Sequence, residues 1–218
     1  MTPVLTGFAD SPDRGRGLAR DFRVRWACAE VGLTYGTRAV RLAALRDPEH
    51  RARHPFAQIP AWEEDGLVLF ESGAIVLHIA ETRPGLLPVD RAARARAVAW
   101  IFAAIDTVEP PVFDLDLADI LERDRPWHAE RRPMLVERVR RRLGDLAEYL
   151  GARDWLEGEF TAGDLTMVTV LRRLQGSELL GAHPSLGAYV ARAEGRPAFG
   201  QALAEQKAAW IAGRDVGP

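Results

Sequence analysis

Two short stretches hold the side chains best suited to do chemistry. The first is Gln58-Ile59-Pro60. Proline is the one residue that accepts a cis peptide at small cost, and a cis bond before Pro60 would turn the Ile59 N–H and C=O outward. Those groups could then pair with an extended peptide laid along them as an added strand. The second stretch is Glu71-Ser72, where an apolar run ends and a helical pattern begins. The leading N–H groups of a helix have no partner within it, so together with the Ser72 hydroxyl they make a site for a carboxylate. Glu71 beside them could hold an ammonium group. A peptide edge flanked by carboxylate and ammonium sites is what a γ-glutamyl tripeptide requires.

The elements that must position these residues follow from spacing. Val4–Thr6 predicts a short strand, and residues 8–17, rich in Gly, Asp and Pro, predict a loop. Phe22, Val24, Trp26, Ala27 and Val31 recur at helical spacing over 21–31, and Gly32 is the stop. Tyr35–Arg41 predicts a second strand, followed by a short, poorly formed helical stretch. Ile59–Glu63 and Leu67–Phe70 flank Glu64-Asp65-Gly66, a hairpin signal because Asp and Gly both accept positive φ. Ser72 opens a helix through about Thr82. The order βαβ then ββα predicts a mixed four-stranded sheet with helices on its faces. Residues 84–90, rich in Pro and Gly, predict a linker, and beyond it only helical periodicity appears: 91–121, 126–150, 163–176, 185–194 and 198–212. Pro110-Pro111 should break or kink the first of these. Thr161 and Asp164 have the spacing of a capping box, with Phe160 and Leu165 placed as its hydrophobic staple; such a cap contributes about 1 kcal/mol.

Bulk properties exclude several classes of function. With 47% hydrophobic and 28% charged residues, the chain of 218 lacks the bias of a disordered protein and can bury a real core. A formal charge of −2 gives no general attraction to nucleic acid or to an anionic membrane. Cys28 is the single cysteine, which excludes an intrachain disulfide, a Cys-rich metal site and a C-x-x-C dithiol, and points to a reducing compartment. Its place mid-helix between Ala27 and Ala29 reads as a buried, inert thiol. No basic-then-apolar leader and no apolar run near the roughly 20 residues of a membrane span occur, so the cytoplasm is the expected location. Arg138, Arg140, Arg141 and Arg142 interleave with Glu130, Glu137, Asp145 and Glu148, which favours pairing along one helix over an anion-binding face.

Residues 54–75, HPFAQIPAWEEDGLVLFESGAI, resemble the glutathione-binding core of the glutathione transferase family. That pattern runs N-P-x-G-x-[VI]-P, then an acidic hairpin, then [EQ]-S-x-A-I. Pro55, Phe56, Gln58, Ile59, Pro60, Glu71, Ser72, Ala74 and Ile75 match it; His54 stands in place of the usual Asn and Ala57 in place of Gly. Phe160 to Asp164 resembles the family's structural F-[ST]-x-x-D box, and residues 183–199 resemble its closing helices, so the similarity covers nearly the whole chain. The resemblance implies a thioredoxin-like domain over residues 1–83, a linker at 84–90 and an all-helical domain over 91–218. It implies glutathione as co-substrate, held by Gln58, Ile59, Pro60, Glu71 and Ser72, with no metal. It also implies a homodimer that conjugates or reduces hydrophobic electrophiles, a detoxifying activity.

One part of the family pattern is missing. The family places a hydroxyl or thiol near the start of the first helix to hold glutathione as its nucleophilic thiolate. That position falls near Leu18, which can donate nothing, and the loop before the helix is longer than usual. Three substitutes are open: Ser11, if the loop doubles back; Arg16 or Arg20, whose charge would add to the positive helix end; or backbone N–H groups alone. Ser11 equally suits a turn, and Arg20 a solvated helix end. For the glycyl carboxylate the resemblance points to Arg46, with His50 and Arg53 as alternatives, although a loop arginine facing water is the plainer account of Arg46. Trp100, Phe102 and Phe113 suit either an electrophile pocket or helical core. A second function stays open beside the enzyme: a catalytically weak or inactive transferase-fold binding or scaffolding protein, for which Leu18 is the argument.

Overall fold

A computed structural model describes residues 2–215, with side chains through Gly213; Met1 and residues 216–218, at the outer ends of the two expected domains, lie outside the described residues. By contacts the chain divides into two compact units. One runs to Leu87 and resumes at Glu194, and the other spans Pro88–Ala193.

The first unit contains β1 (Val4–Phe8), α1 (Asp21–Glu30), β2 (Gly36–Val40), a 3₁₀ turn (Leu42–Arg46), α2 (Pro48–Arg51), β3 (Ala61–Glu64), β4 (Leu67–Phe70) and α3 (Ser72–Thr82). The sheet order is β2-β1-β3-β4. β2 lies parallel to β1 through the α1 crossover, while β3 and β4 are antiparallel, which is the thioredoxin-like mixed sheet expected from the sequence. Asp65 and Gly66 take φ of 49° and 85°, as the tight turn demands. Asp21 through Cys28 are all buried in α1. A Cβ on Gly7 would lie 2.6 Å from Asp21 Oδ2, so glycine is what lets the start of α1 rest on β1.

The last helix, α10 (Pro197–Asp215), also belongs to this unit. Phe199 meets Phe22 and Trp26 edge-on, with ring centroids 5.4 and 5.0 Å apart. The Gln206 amide donates to Asp21 at 3.1 Å, the Tyr35 hydroxyl donates to Glu205 at 2.6 Å, and Arg196 forks onto Glu30 with two bonds of 2.7 Å. The expected grouping of all of 91–218 into one helical domain therefore differs from the division by contacts. Periodicity identifies a helix and its apolar stripe, but not the surface that the stripe covers.

The second unit is built from α4 (Arg91–Phe102), a π turn (Ala103–Val108), α5 (Glu109–Leu121), α6 (His128–Leu150), α7 (Ala162–Leu171), a 3₁₀ turn (Arg172–Leu174), α8 (Glu178–Gly181) and most of α9 (Pro184–Glu194). Among its described residues the only β pairing is an isolated Glu157–Glu159 bridge. Pro110 and Pro111 interrupt the helical run 91–121 without ending it. The backbone stays helical throughout but widens into the π turn just before the prolines, which lack the N–H that an α register there would need, and the α register resumes in α5.

α7 is buried on every side and carries the expected capping box. Asp164 accepts from Thr161 N–H, Thr161 Oγ1, Leu156 N–H and the Tyr189 hydroxyl, each at 2.9 Å. The arginine-rich helix pairs along itself, Arg140 with Glu137 at 3.0 Å and Arg142 with Asp145 at 3.3 Å. Trp100 donates to Glu157 and packs at a tilt against Tyr149, while the Arg173 guanidinium lies over Phe113, so these two aromatics take part in helix packing. No helix among the described residues is long and apolar enough to cross a membrane.

Candidate functional site

The mouth of α3 is built at the end of β4. Glu71 is the N-cap, with φ 71° and ψ 118°, a backbone conformation that residues with a Cβ seldom adopt. Its side chain is exposed and makes no capping bond to its own helix. The carboxylate is thus held out beside the leading N–H groups of α3 without being consumed by them.

Ser72 departs from expectation. The residue is 3% exposed, and its Oγ accepts a hydrogen bond from Arg23 Nη1 of α1 at 3.1 Å. It is not an open hydroxyl. The arginine uses a lone pair of Ser72 and leaves the hydroxyl hydrogen to point elsewhere, so an arriving carboxylate would meet a hydroxyl donor with a guanidinium behind it. Reaching that donor requires displacing the groups that cover it.

The peptide edge lies before β3. The Ile59–Pro60 bond is cis, as anticipated. Neither the N–H nor the C=O of Ile59 has a backbone partner among the described residues. Ala57 has φ 56°, the left-handed conformation that explains why the family pattern places glycine there. The Gln58 side chain is exposed, and Phe56 projects at 68% exposure beside Phe70. Of the three cations considered for a glycyl carboxylate, Arg53 is engaged by Glu49 and Glu63 and His50 is buried; Arg46 is exposed at the end of its 3₁₀ turn.

The mouth of α1 is organised by a residue that sequence reasoning missed. Asp13 accepts from the Ser11 hydroxyl at 2.5 Å and Gly15 N–H at 3.1 Å through Oδ1, and from Leu18 N–H at 2.6 Å and Ala19 N–H at 3.2 Å through Oδ2. This bears on two of the three substitutes for a catalytic hydroxyl. Ser11 is buried with its proton directed at Asp13, and the Leu18 and Ala19 N–H groups, in the turn before α1, donate to the same carboxylate. Arg16 donates through Nε to the Asp13 carbonyl oxygen at 2.9 Å. Arg20 is the half-buried N-cap of α1, and of the two arginines it is the one that stands at the helix mouth itself. The available signal was Asp13-Arg14-Gly15, a side chain able to fold onto the backbone two residues on, with glycine to allow it. Cys28 is fully buried, and burial pushes its thiol up to about 12, so it is no nucleophile. Among the described residues no cluster of three or more His, Cys, Asp or Glu side chains is placed to hold a metal.

Comparison with known proteins agrees with this geometry. Residues 14–81 match the family described as glutathione S-transferase, N-terminal domain. Glutathione S-transferase 4 of Zea mays is 31% identical over 163 residues, which cover 70% of this chain and 72% of that protein. Elongation factor 1-gamma of Homo sapiens is 33% identical over 131 residues, covering 58% of this chain but 28% of its own length. Among solved structures, a glutathione transferase family member from Pseudomonas fluorescens pf-5, with two glutathione bound, superposes with a TM-score of 0.81 at 26% identity over 93% of this chain and 92% of that one. The open acid at the α3 mouth, the unpaired peptide edge and a match over most of the maize transferase lead to one assignment: the chain belongs to the glutathione S-transferase family.

Proposed function

We propose that this chain is a glutathione transferase that conjugates glutathione to hydrophobic electrophiles or uses it to reduce them, acting in the cytoplasm as a homodimer. The observation that carries the reading is the exposed Glu71 carboxylate at the mouth of α3, adjoining Ile59 main-chain groups that have no backbone partner. In this reading Glu71 takes the γ-glutamyl ammonium and the first turn of α3, with Ser72 and Arg23, takes its carboxylate. Gln58, Ile59 and Pro60 line the backbone of the tripeptide, and Arg46 meets the glycyl carboxylate. Arg20, at the positive end of α1, favours the thiolate by charge. The glutathione held by the Pseudomonas fluorescens relative supports the ligand. Exposed Phe56, Leu67, Val68 and Phe70 give the first unit an apolar surface suited to a second copy.

A specific observation also favours the second reading, a binding protein with little catalysis. Asp13 places a negative charge on the N–H groups that would otherwise stabilise a thiolate, and a nearby like charge disfavours ionisation. The human relative named as an elongation factor fits a non-transferase use of the same fold. Glutathione titration followed by ultraviolet thiolate absorbance near neutral pH separates the two. Binding with a thiolate signal supports the enzyme, binding without one supports the binding protein, and no binding overturns the glutathione reading itself.

A further inference from the structure

The sequence offers His50 only as an alternative to Arg46, yet its surroundings give it another task. His50 is 4% exposed, and its Nε2 lies 2.7 Å from the main-chain oxygen of Gln58. A carbonyl oxygen only accepts, so Nε2 carries a proton and donates it. Nδ1 is buried without a hydrogen-bond partner, so the ring's one hydrogen bond is the one to Gln58. The ring is backed by His54, 1% exposed and stacked at 6.4 Å with an interplanar angle of 19°. His54 is in turn held by Phe70 at 5.3 Å and Phe56 at 6.5 Å. Burial lowers the His54 pKa, although the Glu71 charge pulls the other way.

The Gln58 carbonyl and the Ile59 N–H belong to one peptide plane. That bond is trans, so the two groups point in opposite directions. Fixing the carbonyl toward His50 therefore aims the Ile59 N–H directly away from the imidazole. A hydrogen bond to the carbonyl also polarises the peptide and makes its N–H a better donor.

Resting on the glutathione reading above, we propose that His50 is a positioning residue for the ligand: it holds the Gln58–Ile59 peptide plane so that the Ile59 N–H is presented to the tripeptide backbone. It touches no ligand atom and acts only through that plane. His54 serves as the rigid backing that keeps the imidazole in place.

The test is calorimetric titration of the intact protein and of His50→Phe and His50→Gln with glutathione. Phenylalanine keeps an aromatic ring and removes the donor, whereas glutamine can extend an amide N–H to the same carbonyl. His50→Phe should raise the glutathione dissociation constant by about five- to tenfold, the effect of losing one neutral hydrogen bond. His50→Gln should stay within about twofold of the wild type. Any turnover at saturating glutathione should be unchanged in both, and the glutathione-induced shift of the Ile59 amide proton should shrink only in His50→Phe. If His50→Phe does not fold, His50→Asn, too short to reach Gln58, replaces it in the comparison. A donor-less variant that binds as tightly as wild type, or equal weakening in both variants, would overturn the proposal. Failure of the wild type to bind glutathione would instead sink the parent reading.

Discussion

Replacing Asp164 with alanine removes the acceptor for three buried donors: the N–H groups of Leu156 and Thr161 and the hydroxyl of the fully buried Tyr189. The Thr161 hydroxyl loses its partner too, but it can rotate. A buried donor left without a partner costs about 1–3 kcal/mol. Part of that loss is returned, because the carboxylate is itself desolvated; burial raises its pKa despite the bonds from Leu156, Thr161 and Tyr189. The net expectation is a loss of about 3 kcal/mol, well above the ~1 kcal/mol of an ordinary cap. For a chain of this size that lowers the melting temperature by about 6–12 °C. Asp164→Asn keeps one acceptor oxygen and turns an amide N–H₂ toward the remaining donors, so it should fall between wild type and alanine. Urea titration followed by circular dichroism, with a thermal melt alongside, measures both variants. An Asp164→Ala loss at or below about 1 kcal/mol would show that Leu156 and Tyr189 lean on this carboxylate far less than their 2.9 Å bonds imply.

Glu64 should give stability a marked acid dependence. Burial alone would raise its pKa, but bonds from Arg83, His78 and Trp62 hold it at about 2 instead of 4.5. A depressed carboxyl stabilises the fold above its unfolded pKa and ceases to as pH falls through the folded one, so the gap between wild type and Glu64→Gln should reach at most roughly 3 kcal/mol above pH ~5 and close toward pH ~2; a pH-independent gap in urea unfolding would rule this out. Asp13→Asn should increase the thiolate absorbance of bound glutathione near neutral pH by removing a like charge, and an unchanged spectrum would show that Asp13 does not govern ionisation there. Glu71→Gln should weaken glutathione binding about tenfold or more by removing the ammonium partner, and equal affinity in tryptophan-fluorescence titration would count against the site. Gly163→Ala should destabilise by about 1–3 kcal/mol in urea unfolding, because its Cβ would lie 2.6 Å from Trp100 Cβ and 2.9 Å from the Ala97 oxygen.

What was legible in the sequence tracks how local each determinant is. β4 and α3 fall at the expected residues because an apolar run, an Asp-Gly turn and a helix start are written side by side. The peptide edge and Glu71 were legible for the same reason. The Thr161–Asp164 box was readable at three residues' separation, but Tyr189, 25 residues on, was not, and it helps turn a modest cap into a buried network. The Ser72–Arg23 bond joins residues 49 apart, so a hydroxyl that looks open in sequence is covered in the fold. α10 shows the same limit from the other side: its apolar stripe was evident, its partner α1 was not.

The two helix mouths of the first unit face the same electrostatic demand and meet it differently. At each, N–H groups without helical partners attract negative charge. At α3 the adjacent acid makes no capping bond to its own helix, and the demand of the leading N–H groups is left for another anion. At α1 the long loop folds Asp13 back onto the Leu18 and Ala19 N–H groups of the turn that leads into the helix, helped by left-handed Arg14, Gly15 and Gly17, so the chain places its own carboxylate just before the helix start. On the proposed function, binding and activation of glutathione would then be separable: the α3 mouth and the Ile59 edge would set whether the tripeptide is held, and the Asp13 carboxylate, set against the charge of Arg20, whether its sulfur ionises. A single substitution at Asp13 should then alter chemistry while leaving affinity nearly intact.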